Sequence, residues 1–146
     1  MSHNCSAVII TCMDFRTQPA LHRFMKENGL IGDADVLSFP GGPQLLANDF
    51  NRNSKFASEM ALLSVGLHSV RTVYLIAHDD CMAYGGSDAF KSRAVEREAY
   101  MTDLVDAAAE IRSLAPKLNL EIVYKIIVMD GDGWVVINFT EGDLNP

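Results

Sequence analysis

Long apolar runs are missing from this 146-residue sequence. No stretch approaches the ~20 consecutive apolar residues that a membrane-spanning helix needs. The first residues lack a basic region followed by a long apolar segment, so we expect no signal peptide. Clusters of basic residues are missing as well, and the formal net charge is -7. This charge disfavours nucleic acid and anionic membrane surfaces as partners.

Cysteine is scarce and widely spaced. Cys5, Cys12 and Cys81 do not form the closely spaced, even-numbered pattern of a disulfide framework. We therefore expect a cytoplasmic, reducing location, in which such cysteines more often serve metal binding or catalysis. Apolar residues make up 49% and charged residues 21% of the chain, as in ordinary globular proteins, and the length fits a single domain over residues 1–146.

Short β-branched runs alternate with stretches of helical periodicity. The periodicity of apolar residues predicts strands at 6–11, 34–39 and 72–77, helices at 20–27, 55–68 and 93–114, and one or two helical turns at 45–50. Two further strands at 121–128 and 134–138 flank an Asp/Gly-rich hairpin turn, and a loosely held polar tail follows at 140–146. This order predicts a three-layer α/β fold with a mainly parallel central sheet and an antiparallel C-terminal edge strand.

Thiol and imidazole side chains follow two of the predicted strands. Cys12 comes directly after the first strand, and His78 and Cys81 follow the third. Because the carboxyl ends of parallel strands meet at one edge of a sheet, these side chains are expected to converge. Two thiolates and an imidazole suit a zinc ion that keeps its fourth position open. A lone cysteine after a strand is more often a small buried hydrophobe, but the conjunction at two strand ends makes metal binding an equally good interpretation.

Carboxylates accompany both stretches. Asp14 and Arg16 lie at alternate positions after Cys12. In an extended segment their side chains would point to the same side as that of Cys12. Their pairing would keep Asp14 ionised and orient it; the competing interpretation is a surface ion pair worth ~0–1 kcal/mol. Asp79 and Asp80 are expected to orient His78 or to cap the following segment rather than to bind the metal.

The remaining candidate ligands have simpler explanations. Cys5 lies at the other end of the first strand and cannot reach the same ion, so we interpret it as a buried or partly exposed thiol. His3 is assigned to a mobile terminus and His22 to a helix surface. His68 is expected to interact favourably with the dipole at the end of a helix.

Both stretches resemble a known family. Cys-Met-Asp-Phe-Arg over residues 12–16 resembles the Cys-x-Asp-x-Arg motif of β-class carbonic anhydrases, and His-Asp-Asp-Cys over residues 78–81 resembles their His-x-x-Cys motif. The Gly-rich turn at 39–42 and the segment 130–142 are also similar. The resemblance implies one zinc ion per chain held by Cys12, His78 and Cys81, and a catalytic dyad of Asp14 and Arg16. It further implies reversible hydration of carbon dioxide to bicarbonate by zinc-bound hydroxide, and a homodimer or higher homo-oligomer.

Three departures from the family pattern bear on the substrate pocket. The usual Arg-Asn-Ala-Gly turn is replaced by Ser-Phe-Pro-Gly-Gly over 38–42, Met82 stands where a glycine commonly follows the second cysteine, and no helical N-terminal arm is evident. Met82 motivates a second hypothesis, a zinc hydrolase acting on a sulfur analogue of carbon dioxide. A third is a non-catalytic zinc-binding protein. A cysteine nucleophile with a histidine base would leave Cys81 without a role.

Overall fold

The computed structural model describes residues 3–47 and 52–140. Five strands are present in this part of the chain: β1 (Ala7–Cys12), β2 (Ala34–Phe39), β3 (Thr72–His78), β4 (Glu121–Asp130) and β5 (Gly133–Asn138). The α-helices are α1 (Gln18–Glu27), α2 (Gln44–Ala47), α3 (Arg52–His68) and α4 (Arg93–Leu114). Short 3₁₀ turns occupy Phe15–Thr17, Met82–Tyr84 and Ser87–Ala89.

The strands form one sheet in the order β2-β1-β3-β4-β5. The first four are parallel, and β5 pairs with β4 antiparallel. Asp130 pairs with Gly133, so the hairpin turn has two residues, and Gly131 adopts the positive φ of 59° that such turns require. The predicted α/β fold with an antiparallel edge strand is confirmed.

Helices cover both faces of the sheet because side chains alternate along each strand. On one face, Ile9, Ile76 and Ile127 pack against α1 through Ala20, Leu21 and Phe24. The opposite face is covered by α2, α3 and α4, and its core includes the strand residues Val8, Ile10, Val73, Leu75, Ile126 and Val128. Strand β1 is buried at every position, as expected for the centre of a parallel sheet with two covered faces. The three predicted layers are therefore present.

Helix α3 differs most from its prediction. It begins at Arg52, whereas the sequence predicts a polar break before residue 55. Its buried face consists of small side chains: Ser54, Ala57, Ser58, Ala61, Ser64 and Val65. The apolar stripe from which the helix is predicted lies mainly in solvent, with Phe56, Leu63 and Leu67 exposed by 55%, 49% and 67%. Small residues allow the helix to pack closely, so the stripe predicts the helix without predicting its buried face.

Other boundaries shift by a few residues. Helix α1 begins at Gln18, directly after a 3₁₀ turn, and β4 continues to Asp130, which shortens the predicted hairpin linker. Helix α2 spans Gln44–Ala47, and residues 48–50 of its predicted extent lie outside the described part, as do 141–146 of the predicted tail. None of the described helices is long and apolar enough to cross a membrane.

Candidate metal centre

The three predicted ligands come together at the carboxyl ends of β1 and β3, which are parallel neighbours. Cys12 and His78 are the last residues of these strands, and Cys81 follows in the next turn. The sulfur atoms of Cys12 and Cys81 lie 3.8 Å apart, and both cysteines are free thiols. In a regular tetrahedral site with zinc–sulfur bonds of about 2.3 Å, two sulfur ligands are about 3.8 Å apart. The observed separation fits that requirement.

In the described part of the chain, the imidazole of His78 has one ring nitrogen that is hydrogen-bonded and one that is not. Its Nδ1 lies 2.8 Å from the carbonyl oxygen of Asp79; because a carbonyl only accepts, Nδ1 donates. Its Nε2 is buried and has no hydrogen-bond partner among the described residues. The ligand atoms of Cys12, His78 and Cys81 all lie within 4.8 Å of one another. A buried, unsatisfied nitrogen beside two thiols fits a zinc site with three protein ligands and one open position.

The two thiols shift each other's pKa in opposite directions. The Cys81 thiol, by hydrogen bonding to Cys12, lowers the pKa of Cys12, and the backbone N–H of Asp14 acts in the same direction. The same pairing raises the pKa of Cys81, since a second negative charge beside the first is unfavourable. A divalent cation would compensate this repulsion and allow both sulfurs to be thiolates.

Arg16 connects the two stretches. Its Nη2 donates to Oδ2 of Asp14 at 2.6 Å, and its Nε lies 3.0 and 3.1 Å from the two carboxylate oxygens. Its Nη1 donates to Oδ2 of Asp80 at 2.8 Å, and its Nη2 also donates to the Asp80 carbonyl at 2.9 Å. Hydrogen bonding from Arg16 holds the pKa of both carboxyls below their ordinary values. Asp14 is therefore ionised and oriented by Arg16.

Trp134 borders the same region, and sequence reasoning did not select it. The centroid of its ring lies 6.4 Å from that of His78, edge to face, and 5.5 Å from the guanidinium carbon of Arg16. Trp134 belongs to β5, which pairs antiparallel with β4. The sequence signal is the single tryptophan of the chain next to the hairpin turn, but only the pairing of β5 brings it to the site.

A buried polar network supports the turn that carries Cys81. The Glu96 carboxylate of α4 accepts from the backbone N–H of Asp80 at 2.8 Å and from the hydroxyls of Ser87 and Tyr100 at 2.8 and 2.7 Å. The Tyr100 hydroxyl in turn accepts from the backbone N–H of Cys81 at 3.2 Å. The turn is thereby fixed to a long helix.

Asp79 is buried rather than solvated. Its carboxylate binds Arg93 and Arg97 of α4, while its carbonyl accepts from His78. Asp80 binds Arg16, and its other carboxylate oxygen accepts from the backbone N–H of Ser87 at 2.9 Å. Both carboxylates thus bind arginine side chains and lie outside the Cys12, His78 and Cys81 group, in line with the supporting role expected for them.

The Gly-rich turn after β2 lies against the Cys12 backbone. Gly42 has a φ of 55°, and a Cβ atom there would lie 2.6 Å from the Thr11 carbonyl carbon and 2.7 Å from the Cys12 nitrogen. The Phe39 carbonyl accepts from the backbone N–H groups of Met13 and Gly42 at 3.0 and 2.9 Å. Glycine is required at residue 42 because the two backbones touch.

Two other candidates lie apart from the ligands. Cys5 is at the opposite end of β1, as expected. Met82, which we expected to occupy space next to the metal, is 71% exposed. Its side chain therefore does not fill the interior of the site.

Comparison with known proteins places the chain in a family. Residues 2–127 match the model of a family described as "Putative carbonic anhydrase". The chain belongs to this family. Its curated relatives include an uncharacterized protein of Rickettsia bellii (strain RML369-C), 26% identical over 81% of this chain and 74% of that protein. An uncharacterized protein of Rickettsia conorii (strain ATCC VR-613 / Malish 7) is also 26% identical, over 81% of this chain and 66% of that protein.

Solved β-carbonic anhydrases share the fold of this family member. The β-carbonic anhydrase CcaA superimposes with a TM-score of 0.59 at 14% identity and covers 100% of this chain and 84% of its own. A mutant of the β-carbonic anhydrase CafD of Aspergillus fumigatus gives 0.53 at 12% identity over 92% and 90%. At these identities the likeness shows the fold alone; together with the family match, it confirms the predicted resemblance to β-carbonic anhydrases.

Proposed function

We propose that this protein is a zinc-dependent lyase that interconverts carbon dioxide and bicarbonate. The observation that carries the proposal is the buried pair of sulfur atoms 3.8 Å apart, beside a His78 Nε2 without a hydrogen-bond partner among the described residues. Cys12, His78 and Cys81 would hold one zinc ion per chain. When bound, zinc would lower the pKa of water to about 7 and so supply hydroxide at neutral pH.

The dyad would orient the reaction. The Asp14 carboxylate is ionised at neutral pH and can accept a hydrogen bond from the water or hydroxide that attacks carbon dioxide. This bond would orient a lone pair of the attacking oxygen toward carbon dioxide. Arg16 contacts both oxygens of that carboxylate, and Asp80 holds the guanidinium from the other side. This pairing favours an arrangement in which Asp14 stays with Arg16 and the fourth metal position remains available to water.

The central experiment is stopped-flow hydration of carbon dioxide by the zinc-loaded protein. We expect catalysis, and we expect Asp14→Ala to keep zinc while losing about 100-fold or more in kcat/KM. Asp132→Ala, in the exposed hairpin turn, is the control and should match the wild type. Cys12→Ser and Cys81→Ser should lose the zinc of this site. Full zinc occupancy without hydration above buffer would contradict the proposal.

The two rival hypotheses gain less support. The sulfur-analogue hypothesis rests on Met82, whose side chain is 71% exposed and therefore gives it little support. The non-catalytic hypothesis gives no role to the pairing of Asp14 with Arg16. We also propose a reducing, cytoplasmic location, because Cys12 and Cys81 are free thiols close enough to be oxidised together.

A homodimer is proposed as the assembly. Phe56, Leu63 and Leu67 form an exposed apolar stripe on α3, and Met13 and Phe15, beside the ligand Cys12, are also exposed by 57% and 79%. A second copy would remove this apolar surface from water. Light scattering after gel filtration should give twice the 16.0 kDa chain mass, and Leu63→Glu combined with Leu67→Glu should weaken the dimer. A wild-type monomer at micromolar concentration would contradict this assignment.

A further inference from the structure

A second group of metal-ligating side chains lies at the opposite end of the sheet. Cys5 precedes β1, Asp35 belongs to β2, and His68 is the last residue of α3. Their ligand atoms all lie within 4.8 Å of one another. All three are partly exposed, so an ion from solution can reach them. The carbon dioxide chemistry proposed for the opposite edge uses none of them.

The backbone holds these residues together without a metal. The N–H of Cys5 donates to the carbonyl of His68 at 3.0 Å, which joins the start of β1 to the end of α3. Asp35 Oδ2 accepts from the Ser64 hydroxyl and lies 2.6 Å from His68 Nδ1. These contacts hold the side chains of Asp35 and His68 and the backbone of Cys5 in place before any ion binds, which lowers the ordering cost of binding.

The local charge favours a cation. Burial raises the pKa of Asp35, but hydrogen bonds from Ser64 and His68 outweigh it, so the pKa lies below its ordinary value and the carboxylate is ionised. Burial raises the pKa of the Cys5 thiol, and the negative charges of Asp35 and Asp33 add to the effect. Negative potential of this kind disfavours a bare thiolate and favours a thiolate bound to a cation.

We propose that Cys5, Asp35 and His68 bind a divalent transition-metal ion of borderline softness, for which zinc is the natural probe. One thiolate, one carboxylate and one imidazole are ordinary zinc donors. Their two negative charges balance the ion. On binding, the thiol proton of Cys5 leaves to solvent, while neutral His68 keeps its one ring proton on the nitrogen that does not bind the ion. The donor atoms of a tetrahedral ion lie about 3.2–3.6 Å from one another, so Asp35 Oδ2 and His68 Nδ1, 2.6 Å apart without the ion, separate when it binds.

An open cleft borders one of the three donors. A cleft of about 290 Å³ lies against Cys5 and is also lined by Asp33, Ser69 and Arg71. Water in this cleft can therefore reach an ion bound to Cys5. The same three residue types could form a nucleophile–base–carboxylate triad, but the raised pKa of Cys5 and the 3.4 Å contact of its thiol to the Ala7 carbonyl oppose an activated thiolate.

Metal content per chain tests the site without recourse to enzymatic activity. The full-length protein is equilibrated with excess zinc, freed of unbound metal and analysed by mass spectrometry of zinc and sulfur. We expect about two zinc ions per wild-type chain and about one in Cys5→Ser and in Asp35→Asn. The control His22→Ala removes an exposed histidine elsewhere and should keep both ions.

A cobalt titration separates this site from the centre at Cys12. The variant Cys12→Ser with Cys81→Ser should still bind one cobalt ion, with a thiolate-to-cobalt absorption band that disappears when Cys5→Ser is added. Far-UV circular dichroism establishes that each variant is folded; if the triple variant is not, the zinc content of Cys5→Ser in the wild-type background decides. A second ion that persists in both Cys5→Ser and Asp35→Asn overturns the proposal, as does a single wild-type zinc that is lost with Cys12 and Cys81. A single zinc that is retained without Cys12 and Cys81 but lost without Cys5 supports this site and contradicts the proposed catalytic centre.

Discussion

Among individual residues, Asp80 has an unusual conformation. It adopts a φ of 56°, in the left-handed region, at a cost of roughly 1 kcal/mol for a non-glycine residue. Its carboxylate accepts from Arg16 and from the backbone N–H of Ser87, and its own N–H donates to Glu96. These bonds offset the strain and hold the guanidinium that orients Asp14. Asp80 is thus a positioning residue for the proposed dyad.

Replacing Asp80 with asparagine tests that role. Asparagine tolerates the same left-handed backbone, so Asp80→Asn removes the charge without disturbing the turn. We expect the variant to retain zinc and its KM but to lose roughly 10-fold in kcat, because Arg16 is held less firmly and Asp14 becomes more mobile. Stopped-flow hydration together with zinc analysis provides the measurement.

The matched control is Asp88→Asn, which removes a charge from an exposed position in the same segment. It should leave kcat unchanged. If Asp80→Asn hydrates carbon dioxide at the wild-type rate, Arg16 is positioned without its help.

At the scale of the elements, the turn after β2 packs against the backbone of Cys12. Gly42 and Gly131 both have a positive φ, 55° and 59°. A Cβ atom at Gly42 would meet the backbone of Thr11 and Cys12, whereas nothing lies within 4 Å of one at Gly131. The two glycines therefore share a conformational requirement but differ in their surroundings.

A pair of alanine substitutions separates these effects. Gly131→Ala should lower the free energy of unfolding by about 1 kcal/mol, the cost of a left-handed alanine. Gly42→Ala should lower it by about 2–5 kcal/mol, since the displaced backbone adds overpacking, and should also weaken zinc binding by shifting Cys12. Urea unfolding and zinc content measure both. Equal losses in the two variants would show that the close approach is relieved at little cost.

For the whole molecule, Arg16 couples stability to pH. It is the first cause of the lowered pKa of both Asp14 and Asp80. Because these folded-state pKa values lie below the unfolded ones, the unfolded chain binds protons first as pH falls. The stabilisation is therefore fully present above pH ~4 and is lost as pH falls below that value through the folded-state pKa values.

Arg16→Gln removes the cause of both shifts, so its stability should fall less steeply than that of the wild type below pH ~4. Urea unfolding at a series of pH values measures the slope, with chelator present in both samples so that metal release does not contribute. Lys91→Gln, which removes an exposed positive charge elsewhere, should retain the wild-type slope. Parallel curves for wild type and Arg16→Gln would mean that other carboxylates dominate acid unfolding.

The sequence by itself determined the order and type of the main elements. Apolar periodicity gave β2 (Ala34–Phe39) and α4 (Arg93–Leu114) at their observed bounds, because the pattern that buries one side of an element is local to that element. Two short motifs at strand ends also predicted that Cys12, His78 and Cys81 meet, because parallel neighbouring strands end at one edge. Their roles as ligands, and those of Asp14 and Arg16 in catalysis, stay predictions.

Only the tertiary structure decided which surfaces and side chains meet across the chain. It turned the small-residue face of α3 inward and left Phe56, Leu63 and Leu67 in solvent. It brought Trp134 to Arg16, and it gathered Cys5, Asp35 and His68 at the other end of the sheet. Such contacts depend on strand pairing and close packing between residues far apart in sequence, and no local pattern of polarity encodes them.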